Sequence, residues 1–235
     1  MEIFSTISSI KNGSLDNKIK KLYKLGFKNI ELSGNAYISD INLKNIINKH
    51  RDINFIIHNF FPQKKTNMML NLCSLDDKIY KSSVNFYLEK INLCKKLNIN
   101  KYSVHAGFFF DFKSKYAGTE KKYKKLNPRS ECINRFIDGW NTLTKACDDV
   151  VSLYIENNVY SSIDYVNWAS TKPYMLIDLD DYYELKKQFD FKLLLDVGHL
   201  KVSCNTLGLD FIKSLKKLLS EIDYIHYSEN DAKND

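Results

Sequence analysis

Arginine is scarce in this chain of 235 residues, where it supplies only three of the 35 basic side chains. Arginine is the residue that most often makes bidentate contacts with phosphates and bases. The formal net charge of +7 therefore comes mainly from lysines, which are spread over many segments with one cluster in residues 121–125. We interpret the lysines as a solvated surface in preference to a phosphate-binding face, and we favour a small-molecule partner over nucleic acid.

The sequence also lacks the signals of membrane insertion and export. No apolar run approaches the roughly 18 residues that a membrane span requires. Residues 1–5 do not begin the basic-then-apolar pattern of a signal peptide. The five cysteines are odd in number, scattered and without a CxxC pair, which is typical of reduced thiols. We therefore expect a cytoplasmic protein with no membrane partner.

Three common functional motifs are absent as well. The sequence contains no GxGxxG, no GxxxxGKS/T and no GxSxG, which argues against a nucleotide-phosphate loop and against a serine nucleophile. Cys204 lies close to His199 in the sequence. At that position we favour a buried thiol over a catalytic nucleophile.

What the sequence does contain is a regular alternation of apolar runs with segments of helical spacing. This alternation predicts a parallel sheet with right-handed crossovers. The predicted strands are residues 2–8, 28–32, 54–58, 101–105, 152–156, 191–199 and 222–226, and the predicted helices are residues 15–25, 40–50, 76–97, 130–150, 178–189 and 206–219. A closed barrel of this class has eight strands. We therefore predict an α/β fold, a TIM (β/α)8-type barrel that lacks its eighth β/α unit in this chain, with residues 1–235 as one domain.

Ligand-type side chains follow five of the predicted strands. In chain order they are His58, His105, Glu156, Asp196, His199 and His226. The carboxyl ends of parallel barrel strands meet on one face, so we expect these side chains to lie together. Any one histidine alone could be a satisfied core residue, but four of the five histidines fall at these ends. Imidazoles with carboxylates suit Zn, Mn, Fe or Co, and the lack of a cysteine beside these strand ends argues against a structural thiolate zinc site.

The same segments resemble a known family. The order and spacing of GFKNIELS at 26–33, HNFFP at 58–62, LNLCS at 70–74, VHAG at 104–107, YIEN at 154–157, LDVGH at 195–199 and HYSEND at 226–231 are similar to the xylose-isomerase-like TIM barrels. That family includes sugar-phosphate isomerases and epimerases as well as endonuclease IV. The resemblance covers nearly the whole chain.

The epimerase-type members imply one divalent metal (Mn, Zn, Co, Fe or Mg) and a sugar or sugar-phosphate substrate. The resemblance places the metal on Glu156, Asp196, His226 and a second glutamate, with Glu156 as a catalytic residue. One glutamate removes a proton next to the carbonyl, the metal stabilises the enediolate, and the other glutamate returns the proton. The family's second glutamate would lie beyond Asp235. We therefore also keep a non-catalytic sugar-binding remnant, or a homo-oligomer whose partner completes the site, as alternatives.

Endonuclease IV implies different chemistry, the cleavage of abasic sites by three zinc ions. The resemblance matches its ligands to one further histidine, one further glutamate and His58, His105, Glu156, Asp196, His199, His226 and Asp235. In this hypothesis His58, His105, His199 and Asp235 are therefore additional metal or substrate ligands. The low arginine content and the HNFFP and VHAGF segments favour the sugar isomerases.

Three more polar residues are candidates for substrate binding, namely Glu31, Asn59 and Asn158. Glu31 is equally compatible with a supporting hydrogen-bond role or with filling the barrel. The long connections at residues 108–128 and 160–174 are where we expect substrate specificity to lie.

Overall fold

The computed structural model describes residues 3–34, 38–62, 69–111, 125–168, 171–222, 224–227 and 230–233, so most of the predicted lysine cluster lies outside these ranges. Strands and helices alternate along the described chain, which confirms the α/β class. The strands are β1 (Ser5–Thr6), β2 (Asn29–Leu32), β3 (Asn54–Ile57), β4 (Lys101–His105), β5 (Ser152–Glu156), β6 (Lys192–Asp196) and β7 (Tyr224–His226). The helices are α1 (Leu15–Lys24), α2 (Asp40–Lys49), α3 (Asp77–Lys96), α4 (Arg129–Cys147), α5 (Ser162–Asn167), α6 (Leu179–Lys186), α7 (Val197–Leu207) and α8 (Phe211–Leu219).

Most of the predicted elements are confirmed with small shifts of their ends. The strands predicted to end at residues 32, 105, 156 and 226 end there, and α1 to α4 and α6 correspond to predicted helices.

Local capping explains several helix starts. Ser14 caps α1, Ser39 caps α2 and Asp178 caps α6, and each side-chain oxygen accepts a backbone N–H of the first turn.

The prediction for residues 191–219 is wrong in two places. Strand β6 ends at Asp196 and α7 begins at the next residue, so His199 lies on the first turn of a helix and not at the end of a strand. Gly208 ends α7 in the left-handed conformation with φ +67°, and Asp210 then caps α8. The single helix predicted at 206–219 is therefore the end of one helix followed by another.

The connection at residues 160–174 also differs from the irregular loop that was predicted, because it contains α5. Ser161 and Asp164 form a capping box: the Ser161 hydroxyl accepts the Asp164 N–H at 3.2 Å, and the Asp164 carboxylate accepts the Ser161 N–H at 3.4 Å. Two side-chain hydrogen bonds thus support a helix of only six residues.

The described chain divides into two compact units. The first takes Met1–Met68, Leu88–Ser103 and Ala146–Ser152. Its parallel sheet has the order β1-β2-β3, with Ile30 opposite Phe55 and Leu32 opposite Ile57. His50, the one histidine predicted to lie on a helix, ends α2 and its Nε2 lies 2.8 Å from the Asp16 carboxylate of α1.

The second unit takes Met69–Tyr87, Val104–Lys145 and Leu153–Asp235. The second sheet has the order β4-β5-β6-β7, and β6 is parallel to both neighbours, with Asp196 opposite His226. The apolar run of β6 is buried throughout, as expected for a parallel strand covered on both faces.

The cysteines and the hydropathy of the helices follow the sequence predictions within the described residues. All five cysteines are free and buried, which confirms the interpretation as free thiols. Burial raises the pKa of the Cys204 thiol, so this side chain is a poor nucleophile. Within the described ranges, every helix is too short or too polar to cross a membrane.

A close approach of two backbone segments follows β4 in the second unit. A Cβ atom on Gly107 would lie 2.2 Å from the Cys73 Sγ and 2.7 Å from its Cβ. The buried Asn71 side chain holds the two segments together, because its Oδ1 accepts the N–H groups of Cys73 at 3.0 Å and of Phe108 at 3.1 Å. Only glycine fits at position 107 without moving this segment.

We therefore expect Gly107→Ala to lower the free energy of unfolding by more than about 2 kcal/mol, because a methyl group would overlap the Cys73 side chain. The measurement is chemical denaturation followed by circular dichroism. Gly139→Ala is the matched control, because its added methyl would meet only flexible side chains of Leu72 and Tyr80 at 3.2–3.4 Å. Unchanged stability of Gly107→Ala would contradict this packing.

Candidate metal and catalytic site

The carboxylate of Glu156 lies between the imidazoles of His105 and His226 in the second unit. Glu156 ends β5 and is 2% exposed. Its Oε1 lies 3.2 Å from the Nδ1 of His226, which ends β7, and its Oε2 lies 3.7 Å from the Nδ1 of His105, which ends β4. The structure therefore brings together three of the residues that were predicted at strand ends.

Asp196 joins this group from the end of β6. Its Oδ1 accepts the backbone N–H of His199 at 2.9 Å and so caps α7. The side chain is 8% exposed. The partial positive charge at the start of a helix stabilises a carboxylate placed there, which offsets part of the cost of burying it.

His199 approaches the same group from the first turn of α7. Its Nδ1 lies 2.7 Å from the backbone oxygen of Asn157. A carbonyl oxygen can only accept, so Nδ1 carries the hydrogen and donates it. In the neutral ring Nε2 then holds the lone pair, which is the form in which histidine binds a metal.

The donor set of this cluster fits a divalent cation. Glu156, Asp196 and His199 each offer a ligand atom, and these atoms all lie within 4.8 Å of one another. Burial raises the pKa of Asp196, and the nearby charge of Glu156 adds to the rise while His199 and His226 oppose it. A cation would remove this penalty, because it favours both carboxylates in their charged form. Two carboxylates with imidazole are ligands of Zn, Mn, Fe or Co.

Three of the other predicted site residues lie in the first unit, at the ends of its strands. Glu31 is in β2 and buried, and Asn59 is fully buried, with its backbone oxygen accepting from the Tyr102 hydroxyl at 2.7 Å. His58 directly follows β3, and its N–H donates to the Leu32 oxygen at 2.9 Å. Asp235 lies outside the described residues.

Asn158 has a clear role in the backbone of the second unit. Its side-chain nitrogen lies within 2.9–3.0 Å of the carbonyl oxygens of Ala106, Gly107 and Met175. An amide carries two hydrogens, so three carbonyls share them. This side chain therefore fixes the segment that follows β4, and its predicted contact with substrate stays a prediction.

The sequence did not single out Asn157, although it follows Glu156 directly. The side chain is 4% exposed and makes two hydrogen bonds to the backbone of Asp196. Its place directly after a predicted ligand is a weak signal in the sequence, because the partners that such an amide needs when it is buried lie 39 residues away in the chain.

An aromatic group joins the two long connections of the second unit. The Phe110 ring lies 4.6 Å from the Trp168 ring and 5.9 Å from the Tyr174 ring, measured between centroids. The Phe109 N–H donates to the Pro173 oxygen at 2.7 Å. The connections after β4 and β5, both predicted to determine specificity, are thus packed against each other.

Comparisons with known proteins identify the family and the fold. Residues 19–235 match the sequence model of a family described as the xylose isomerase-like TIM barrel. Among solved structures, a D-tagatose 3-epimerase-like protein matches with a TM-score of 0.69 and 17% identity over 100% of this chain and 78% of its own. D-psicose 3-epimerase from Clostridium cellulolyticum matches with a TM-score of 0.66 and 18% identity over 97% of this chain and 73% of its own.

Endonuclease IV from Thermus thermophilus matches with a TM-score of 0.53 and 13% identity over 95% of this chain and 74% of its own. A comparison with curated proteins found no match. Likeness at these identities concerns the fold, and together with the family match it confirms the predicted TIM-barrel class.

We expect Asp196→Asn to raise the melting temperature of the metal-free protein at neutral pH. A carboxyl group whose pKa is raised by folding stabilises the protein below its unfolded value, about 3.9, and loses that contribution as the pH rises through the folded value. The difference in melting temperature between Asp196→Asn and the wild type should therefore shrink as the pH falls toward about 4. The measurement is thermal unfolding in the presence of a chelator.

Asp190→Asn is the control with the opposite sign. Asp190 is exposed, and its hydrogen bond from Lys186 lowers the pKa of the carboxyl group. This variant should be slightly less stable at neutral pH and approach the wild type in acid. An Asp196→Asn variant that follows the same course as this control would show that burial does not dominate at Asp196.

Proposed function

This chain belongs to the xylose isomerase-like TIM barrel family, and on that premise we propose that it is a metal-dependent sugar or sugar-phosphate isomerase or epimerase. The observation that carries the proposal is the placement of Glu156, a buried carboxylate with an imidazole beside each of its two oxygens. A buried base at the carboxyl end of a parallel strand is where this class of barrel carries out its chemistry.

The cation is assigned to Glu156, Asp196 and a histidine. The family resemblance gives the histidine role to His226. His199 is a second candidate, because its ligand atom lies within 4.8 Å of those of Glu156 and Asp196. When bound, the cation supplies the positive charge that stabilises an enediolate oxygen. Carboxylate and imidazole ligands are compatible with Mn, Zn, Co, Fe and, with water ligands, Mg.

The proton step is assigned to Glu156. Its carboxylate takes the proton from the carbon next to the sugar carbonyl, and the electron pair of that C–H bond moves into the enediolate. Because Glu156 is only 2% exposed, bulk water has little access to the reacting atoms. The imidazole of His226 orients the carboxylate through its Nδ1 atom, 3.2 Å from Oε1, and the Nδ1 atom of His105 lies 3.7 Å from Oε2.

The substrate class rests on the similar structures. One of them is described as a D-tagatose 3-epimerase-like protein and another as a D-psicose 3-epimerase with D-tagatose. We therefore propose a ketose as the first substrate to test. The phosphorylated forms belong to the same screen.

A zinc-dependent abasic-site nuclease is the second candidate. It is favoured by the number of imidazoles near Glu156, since the His105 and His199 rings lie only 6.4 Å apart. Incubation of the zinc-loaded protein with a duplex that carries one abasic site separates the two functions. Nicking that requires zinc would replace the isomerase proposal, and an intact duplex would remove the nuclease.

Glu156→Gln should abolish exchange of the sugar proton with solvent. The amide is nearly isosteric but cannot accept a proton, and loss of a general base lowers the rate by about 10²–10⁴-fold. The measurement is incorporation of deuterium into D-tagatose or D-psicose by metal-loaded protein in D₂O. This assay follows a single base, so it does not require a second group to return the proton.

Glu131→Gln is the matched control, because this glutamate is exposed on the first turn of α4 and should exchange protons like the wild type. Exchange by Glu156→Gln at the wild-type rate would end the catalytic assignment. Sugar binding by the wild type without any exchange would support the non-catalytic alternative.

A further inference from the structure

Asn157 makes three hydrogen bonds to residues at the junction of β6 and α7, namely Asp196 and His199. Its Oδ1 accepts the backbone N–H of Asp196 at 2.7 Å, and its Nδ2 donates to the backbone oxygen of Asp196 at 3.1 Å. Its own backbone oxygen accepts from the Nδ1 of His199 at 2.7 Å. One residue thus contacts two members of the candidate metal cluster and follows the third, Glu156, in the chain.

The side chain of Asn157 continues the pairing of the sheet beyond its last regular pair. Strands β5 and β6 pair in parallel as far as Glu156 opposite Leu194. The side-chain amide then presents one acceptor and one donor to Asp196, as a peptide group of a neighbouring strand would. Both polar groups of the Asp196 backbone are satisfied in this way at the point where the strand becomes a helix. The position of this backbone in turn sets where the carboxylate accepts the His199 N–H at 2.9 Å.

The backbone oxygen of Asn157 selects the form of the His199 ring. A carbonyl can only accept, so it holds the hydrogen on Nδ1 and leaves the lone pair of the neutral ring on Nε2. If the amide did not hold residues 157 and 196 together, the carbonyl and the ring would be able to separate. The side chain of Asn157 therefore acts on His199 through the position of its own backbone.

We propose that Asn157 is the positioning residue of the site, setting both the orientation of Asp196 and the tautomer of His199. Its consequence for metal binding rests on the proposed function. Asn158, the next residue and also an asparagine, makes its hydrogen bonds to Ala106, Gly107 and Met175 instead. The two neighbouring amides thus fix different parts of the site, which supplies a matched pair of variants.

The experiment compares the wild-type chain with Asn157→Ala and Asn158→Ala. Two-dimensional ¹H–¹⁵N spectra of the histidine rings report the tautomer in metal-free protein, with the His199 signals assigned by His199→Gln. Titration with Mn²⁺ reports the dissociation constant. Asn157→Ala should shift the His199 nitrogens from the Nδ1–H form toward the average of two tautomers. It should also weaken Mn²⁺ binding by about 10–100-fold, the usual effect of removing a partner that orients a metal ligand.

Asn158→Ala should leave the His199 tautomer as in the wild type. Circular dichroism verifies that each variant folds, and Asn157→Ser, whose hydroxyl can keep one hydrogen bond, replaces the alanine variant if that chain does not fold. A His199 ring that stays in the Nδ1–H form in a folded Asn157 variant, with unchanged Mn²⁺ affinity, would overturn the inference. A wild type that binds no divalent metal would refute the proposed function alone, because the tautomer is measured without metal.

Discussion

Two carboxylates, Glu156 and Asp196, lie almost out of contact with water at the ends of neighbouring strands, and their surroundings are arranged to offset the cost of that burial. An isolated charge in such a place is strongly unfavourable. The start of α7 donates an N–H group to Asp196, and two imidazoles approach Glu156. Even so, burial raises the pKa of Asp196, which indicates that the offset is incomplete without another positive charge. A divalent cation is the group that would complete it.

The same arrangement explains why the second unit depends on asparagine side chains. Asn71, Asn157 and Asn158 are each hydrogen-bonded to backbone groups where a strand ends or a connection begins. At these places the regular pairing of the sheet stops, and buried N–H and C=O groups need other partners. An amide carries both a donor and an acceptor, so it can take the place of a peptide group of a neighbouring strand without adding charge near the carboxylates.

The sequence was sufficient to predict the class of fold and to single out several of the side chains that the structure brings together. Apolar runs ending in Glu156, His105 and His226 are strong signals, because a buried parallel strand has no other use for such residues at its end. The start of α7 was missed because Val197 and Gly198 are weak helix formers and the apolar run of β6 hid the cap formed by Asp196. Gly208 is a signal for the end of α7. The helical spacing of apolar residues on both sides of it nevertheless led to the prediction of one continuous helix.

The parts that could not be predicted depend on contacts between distant segments. Helix α5 has six residues, too few for a periodic pattern, and only the Ser161 and Asp164 spacing could have suggested it. The role of Asn157 depends on the backbone of residue 196, which no local pattern reveals. The tautomer of His199 depends in turn on the carbonyl of Asn157.

Metal content is the measurement that tests the central claim most directly. Purified protein of verified intact mass would be loaded with Mn, Co or Zn, freed of excess metal and analysed for its elements beside Asp196→Asn. The account predicts one divalent ion per wild-type chain and a large loss in the variant. A wild type that retains no metal would contradict the account, and two or three zinc ions per chain would contradict the isomerase assignment in favour of the nuclease.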